Sequence, residues 1–336
     1  MSADRPVQFG ILGVGRIAVK AYVPAINDAP NAELAAAASR DITRAESINP
    51  KRAYGSYEAL LDDPEVEAVY IATHNGLHLP LALAAFERGK HVLCEKPLAN
   101  DAPQCAELIE AAAKADRLLV EAFMYRYHPS IKEAKRLIDD GAIGELRTVE
   151  GAFSYHMEST TDVRLNPKWG GGGLLDIGTY CVNACRLFFD EVPRAVTAMG
   201  DFHPEYKVDM ALHGLLDFGS GRYGVISSGF DAGFRNRILA CGTGGTIELP
   251  KGVGINNVPV TLILKTREET REIEYEPFAM YQAMVEDFAN AVRGGMCMID
   301  AKEGLRNAVV MDALLASARL GGGRVAVPHE EDLRFK

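Results

Sequence analysis

Apolar residues in the first third of the chain fall in short runs, and longer stretches with apolar residues at helical spacing separate them. Residues 7–12, 34–39, 68–72, 91–94 and 118–122 predict strands, and residues 16–26, 79–87 and 101–115 predict helices between them. Short strands that are apolar throughout are buried on both faces, as in a parallel sheet covered by helices. Right-handed crossovers make such a sheet a doubly wound α/β layer. The alanines of 34–39 are weak strand formers, yet the turn at Pro30-Asn31 makes that run a strand. Pro24 is expected to shorten or kink the first helix.

From Gly144 the rhythm changes. Residues 146–155, 197–202, 208–218, 222–230, 235–241, 245–249 and 258–266 predict strands joined mostly by turns, hence a large, mostly antiparallel sheet. Helical patterns at 176–188, 281–293 and 302–320 make this half α+β, with one sheet face left open. The expected division is an α/β domain over 1–122 and an α+β domain over 123–336, with 123–140 as the connection.

Composition narrows the class. Of 336 residues, 48% are hydrophobic, enough for two cores, which excludes a disordered chain. Acidic residues outnumber basic ones by 46 to 36, which argues against a nucleic-acid partner. No apolar stretch reaches the roughly 18 residues of a membrane span, and none precedes the first strand as a secretory leader would. Six cysteines without a C-x-x-C pair make neither a disulfide framework nor a zinc site. His74 and His78 are four apart but have no third ligand nearby, so no metal is expected. A soluble cytoplasmic protein is the expectation.

Gly13-Val14-Gly15-Arg16-Ile17-Ala18 follows the first strand and opens the first helix. It fits the dinucleotide fingerprint: Gly13 for the tight turn, Gly15 for close approach of a pyrophosphate, Ala18 for packing, and the helix start at Arg16 and Ile17 for the phosphate charge. An NAD site expects an acid at the end of the second strand. Here stand Ser39 and Arg40, which suit the 2′-phosphate of NADP, while Asp41 keeps NAD use open. Thr73, His74 and Asn75 end the third strand, at the sheet edge where ligands bind, and can bond the ribose or pyrophosphate. Glu95-Lys96-Pro97 ends another strand at that edge. Lys96 there can hydrogen-bond a substrate hydroxyl or be a surface lysine, and Pro97 suits a cis bond in a sharp turn.

Taken with Gly171-Gly172-Gly173-Leu174-Leu175-Asp176-Ile177-Gly178-Thr179-Tyr180, these motifs make nearly the whole chain resemble the glucose-fructose oxidoreductase / inositol dehydrogenase (Gfo/Idh/MocA) family. Phe123-Met124-Tyr125-Arg126-Tyr127-His128-Pro129 looks like the branch of NADP-dependent D-xylose dehydrogenases and trans-dihydrodiol dehydrogenases. The resemblance implies a catalytic Lys96 and puts Asp176 and Tyr180 in the substrate pocket. Tyr180 stands where many members have histidine. Asp176 and Tyr180, four apart, would share one helix face, with Tyr180 as general acid-base, Lys96 favouring its phenolate, and Asp176 orienting substrate or serving as a first-turn acid. Further pocket candidates are Arg126, Phe153, Tyr155, Trp169 and Asn183, the last placed to bond a substrate hydroxyl or its helix surroundings. Alternation puts Phe153 and Tyr155 on one strand face and His156 on the other. Trp169 can stack on a sugar or diol ring or fill a loop core.

The implied activity is hydride transfer between NADP and a sugar or vicinal diol in the cleft between the domains. Oxidation of an aldose at C1 to a lactone is the first expectation. The alternatives are a trans-dihydrodiol dehydrogenase, an inositol or anhydro-sugar reductase, and a non-catalytic nicotinamide sensor. The open sheet face resembles the family's dimer surface, so a homodimer is expected first and a tetramer second.

Overall fold

The computed structural model describes residues 5–328 of a chain that forms two compact units. One takes the chain up to Met124 together with Ala279–Leu305, and the other takes Tyr125–Phe278 and the chain from Arg306. The division expected at 122/123 lies two residues from the first crossing. It is corrected at 279–305, which was given to the second domain and belongs to the first unit. Residues 1–4 and 329–336, counted above in the expected domains, lie outside the described residues.

The first unit is built on six parallel strands: β1 (Val7–Leu12), β2 (Ala32–Ala38), β3 (Arg52–Tyr54), β4 (Ala68–Ile71), β5 (His91–Cys94) and β6 (Leu119–Glu121). Their order, β3-β2-β1-β4-β5-β6, reverses direction between β1 and β4. A ligand crevice belongs at that switch, beyond the carboxyl ends of the strands. Leu12 pairs with Ala38 and Ile71, and Ile71 with Cys94, so four strands end in line. The connecting helices are α1 (Val23–Asp28), α2 (Ile42–Glu46), α3 (Tyr57–Leu61), α4 (His78–Glu87) and α5 (Ala102–Ala115). The expected helix over 16–26 is a wide π turn over Ala18–Tyr22 that runs into α1. Pro24 sits in the first turn of α1, where a missing N–H costs little. The short elements β3, α2 and α3 were not predicted. Each is five residues or fewer, too short for periodicity to show.

The second unit holds α6 (Pro129–Asp139), β7 (Leu146–His156), α7 (Thr179–Phe189), β8 (Ala195–Phe202), β9 (Asp209–Gly219), β10 (Arg222–Gly229), β11 (Asp231–Gly242), β12 (Gly245–Leu249), β13 (Val260–Thr266) and β14 (Thr270–Tyr275). Met280–Val292 (α8) returns to the first unit, where Phe288 packs on Phe9 of β1. Lys302–Arg319 (α9) and Val325–Ala326 (β15) follow. The nine-stranded sheet runs β14-β13-β12-β11-β7-β10-β9-β8-β15 and is antiparallel except for β7 with β10. The edge strands β14 and β15 went unpredicted, one highly charged and the other two residues long. Gly151 and Gly224 let α7 lie close on one face, since a Cβ on either would meet Cys181 or Cys185. On the other face Met199, Leu215, Tyr223 and Val225 are exposed. No helix among the described residues is long and apolar enough to cross a membrane.

Candidate active site

The glycine turn leaves β1 at Gly13, whose φ of +95° only glycine adopts readily. A Cβ there would come within 3.0 Å of Thr73 and 3.1 Å of the Ala72 carbonyl. Gly13 donates its N–H to Ala38 at 3.0 Å. Gly15, Arg16 and Ile17 head the π turn, where the first N–H groups of a helix have no partner within it. The Thr73 Oγ1 is buried beside this turn without a hydrogen-bond partner among the described residues. A polar orphan, a close-approach glycine and a helix start at the switch point fit a dinucleotide's pyrophosphate and ribose.

At the end of β2, Ser39 is buried and Arg40 exposed. Burial holds the His74 imidazole below its ordinary pKa, and the charge of Arg40 lowers it further. Asp41 caps α2, accepting from the Thr43 N–H at 3.1 Å and the Thr43 hydroxyl at 2.7 Å. Its Oδ1 is thereby engaged by its own chain. Arg44, which sequence reasoning missed, donates to the Val14 carbonyl of the glycine turn at 2.7 Å. Its position one helical turn beyond Asp41 was the available signal.

Lys96 stands between two buried clamps. Before it, Glu95 accepts the Tyr70 hydroxyl at 2.8 Å and also bonds Tyr22, whose ring stacks on Tyr70 at 3.6 Å. Burial raises the Glu95 pKa, and Lys96 opposes the rise. After it comes the cis Lys96–Pro97 bond. His78, fully buried, has Nδ1 2.9 Å from the Pro97 carbonyl and Nε2 3.3 Å from the Thr73 carbonyl. Burial pushes its pKa down to about 4, so the ring is neutral and its single N–H suits the shorter contact. Glu121 accepts the Leu98 N–H at 2.8 Å. His78 and Glu121 thus fix the turn that carries Lys96. The thiol of Cys94 is buried and its pKa raised far up, so it is no nucleophile.

In the second unit the expected regular helix from residue 176 is corrected. Leu174–Gly178 is a π turn and α7 starts at Thr179. Asp176 and Tyr180 therefore do not share a single α-helical turn, although both meet the same face of β7. Asp176 Oδ2 accepts from Arg164 Nε at 2.7 Å and from the Tyr155 hydroxyl at 3.2 Å. Asp176 is the largest cause holding the Arg164 guanidinium charged, and burial with Asp176 raises the Tyr155 pKa. Arg164 also pairs with Asp162. The Tyr180 ring lies edge-on to Tyr125, centroids 6.0 Å apart, and 6.1 Å from Phe153. A recess beside it is lined by Phe153, Tyr180, Cys181, Asn236 and Val253.

The other pocket candidates divide. Phe153 and Tyr155 lie on the expected face, and His156 is exposed. Asn183 is wholly buried and accepts the Tyr125 hydroxyl at 2.6 Å, so its side chain bonds its helix surroundings and supports the aromatic wall. Trp169 ends a short 3-10 turn and is 41% exposed, so it is no core residue. Arg126 lies in the 3-10 turn Met124–Tyr127 and is half-buried. Sequence reasoning missed Arg164, Tyr125 and the exposed Phe234, whose ring stands edge-on to Phe153 at 6.3 Å. Tyr125 was within a quoted motif, but Arg164 and Phe234 carried no motif signal.

The profile of an oxidoreductase family with an NAD-binding Rossmann fold, GFO_IDH_MocA, matches residues 7–123, and that of a GFO/IDH/MocA C-terminal domain matches 131–248. A D-xylose 1-dehydrogenase (NADP(+)) from Haloferax volcanii is 35% identical over 94% of this chain and 98% of its own. A trans-1,2-dihydrobenzene-1,2-diol dehydrogenase from Xenopus laevis is 36% identical over 72% of this chain and 75% of its own. Among solved structures, a 3-ketoreductase from Actinomadura kijaniata in complex with NADP and TDP-benzene is 27% identical and covers 93% of this chain and 98% of its own, with a TM-score of 0.87. The chain belongs to the GFO/IDH/MocA family of NAD(P)-dependent oxidoreductases, and its first unit is that family's NAD-binding Rossmann domain.

Proposed function

We propose that this protein is an NADP-dependent oxidoreductase that oxidises one hydroxyl of a cyclic vicinal diol, with Tyr180 as the acid-base group. The observation that carries the choice is the aromatic surround of Tyr180: Tyr125 and Phe153 flank its ring and Phe234 extends the wall. Such a wall suits the apolar face of a carbocyclic ring better than an open polyol chain. The dihydrodiol dehydrogenase relative supports this reading.

Tyr180 takes the proton of the reacting hydroxyl, and Lys96 donates to the oxygen as negative charge develops on it. Held at the glycine turn, NADP would supply the hydride acceptor for the carbon that carries the hydroxyl. Arg164 and Tyr155 both donate to Asp176 Oδ2 and fix the side chain, so Asp176 orients the neighbouring hydroxyl as an acceptor. A dihydrobenzene diol oxidised this way gives a hydroxyketone that tautomerises to a catechol. Arg40 and Arg44 would meet the 2′-phosphate of NADP, while Asp41 Oδ1 is already taken by the Thr43 N–H and hydroxyl. Oxidation of an aldose at C1 is the second reading, favoured by the D-xylose dehydrogenase that matches nearly end to end.

Initial rates of NADP reduction with trans-dihydrobenzenediol, D-xylose and an inositol, each beside NAD, test the proposal. The expected result is the highest kcat/KM for the dihydrodiol with NADP, abolished in Tyr180→Phe. A higher kcat/KM for D-xylose would move the assignment to the second reading. Undiminished turnover in Tyr180→Phe would remove Tyr180 from the chemistry.

A further inference from the structure

Asp209 begins β9, away from every motif in the sequence, and is 3% exposed. Its Oδ2 accepts the Leu174 N–H at 2.6 Å, and the Gly173 N–H also bonds the carboxylate. Gly172 has a φ of +119°, and a Cβ on it would overlap Asp209 Oδ1. On the other side of the same turn, Gly171 donates to the Asn166 carbonyl at 3.0 Å and Gly172 to the Arg164 carbonyl at 2.9 Å. Every one of these bonds is neutral backbone to backbone except those to Asp209. A carboxylate that accepts adjacent N–H groups at a helix start is a strong, charge-assisted cap.

We propose that Asp209 is a positioning residue: its charged carboxylate clamps the glycine turn that leads into Asp176 and Tyr180, and loss of that charge slackens the turn and slows turnover. The proposal rests on the reading of Tyr180 as the acid-base group.

Burial raises the Asp209 pKa to about 6, within reach of ordinary assay conditions. Arg319 of α9 favours the ionised form. The register partner on β8 is the uncharged Phe202, the glycine turn carries no charge, and Asp231 lies beyond Gly229 of β10. Lys207 precedes Asp209 on its own segment. A protonated Asp209 retains one good acceptor oxygen and turns an O–H toward N–H donors. Asp209→Asn reproduces that state permanently, with nearly the same shape and no titration.

The test follows kcat, the KM for NADP and amide exchange of residues 171–180 across pH, in wild type and Asp209→Asn. In wild type, kcat should fall on the acid side with a midpoint near about pH 6, and exchange of 171–180, corrected for its intrinsic rate, should accelerate over the same range. In Asp209→Asn, kcat should be down about tenfold and flat through that range, exchange fast at every pH, and the KM for NADP unchanged. A variant with wild-type kcat and an intact acid limb, or with 171–180 as protected as before, overturns the proposal. If the variant does not fold, wild-type exchange decides alone, and no pH-dependent loss of protection overturns it. Exchange needs no turnover, so an active Tyr180→Phe would defeat the functional reading while exchange still decides for or against the clamp.

Discussion

The two glycine turns of this molecule have the same local plan and opposite surroundings. Gly13–Ala18 and Gly170–Gly178 each lead through a π turn into an α-helix. In the first, a threonine hydroxyl is left unpartnered beside the turn and an arginine reaches its Val14 carbonyl. In the second, the N–H groups at the start of the turn are taken by three carbonyls and a buried carboxylate. Glycine permits both; the groups that meet the N–H atoms decide whether the turn serves a ligand or a side chain further along. The first is suited to phosphate, and the second to holding a tyrosine in register.

Four changes would break or sharpen this contrast. The largest effect is expected from Tyr180→Phe, which removes the proposed proton acceptor behind the second turn. Its kcat should fall about 10²–10⁴-fold with NADP affinity unchanged, read by steady-state kinetics and cofactor fluorescence. Gly172→Ala comes next. Its Cβ has no room beside Asp209, so melting temperature and kcat should both drop. Gly15→Ala gives the complementary result: the nearest atom to its Cβ is the Ala72 carbonyl at 3.6 Å. Melting temperature should hold while NADP binding by calorimetry weakens, because the methyl occupies the phosphate's approach. A Gly15→Ala protein that binds NADP normally would break the first half of the contrast.

The smallest effect is on stability against pH. The Asp209 pKa is raised in the folded chain, so between the ordinary carboxyl value and about 6 the native state binds more protons than the unfolded one. Stability from this group is present at acid pH and lost as pH rises through that window. Asp209→Asn should flatten that part of the melting profile, since each tenfold difference in proton affinity between the folded and unfolded chain is worth roughly 1.4 kcal/mol. The charged clamp is thus kept at neutral pH against its own stability cost, as happens at functional sites.

How far the sequence could be read depended on the range of the interactions. The glycine fingerprint, Glu95-Lys96-Pro97 and the run ending at Tyr180 were legible because each is local, and a strand end or helix start follows from a few residues. Most of the Rossmann layer was legible because its inner strands are short, mainly apolar runs. What supports those motifs was not. His78 and Glu121 grip the Lys96 turn from α4 and β6, Arg164 engages Asp176 from a loop, and Asp209 reaches the glycine run from β9. Tertiary pairing creates these contacts, and no periodicity announces them. For the same reason, spacing from Tyr180 could not decide between a substrate hydroxyl and the Tyr125 hydroxyl as the partner of Asn183. The return of 279–305 to the first unit was invisible because an amphipathic helix does not declare which core it covers.

The contrast between the turns is tested most directly by amide exchange with and without NADP at neutral pH. The account predicts that residues 13–22 gain protection when NADP is added, while residues 171–178 are protected already and do not change. Residues 13–22 indifferent to NADP, or residues 171–178 exchanging freely until it binds, would contradict it.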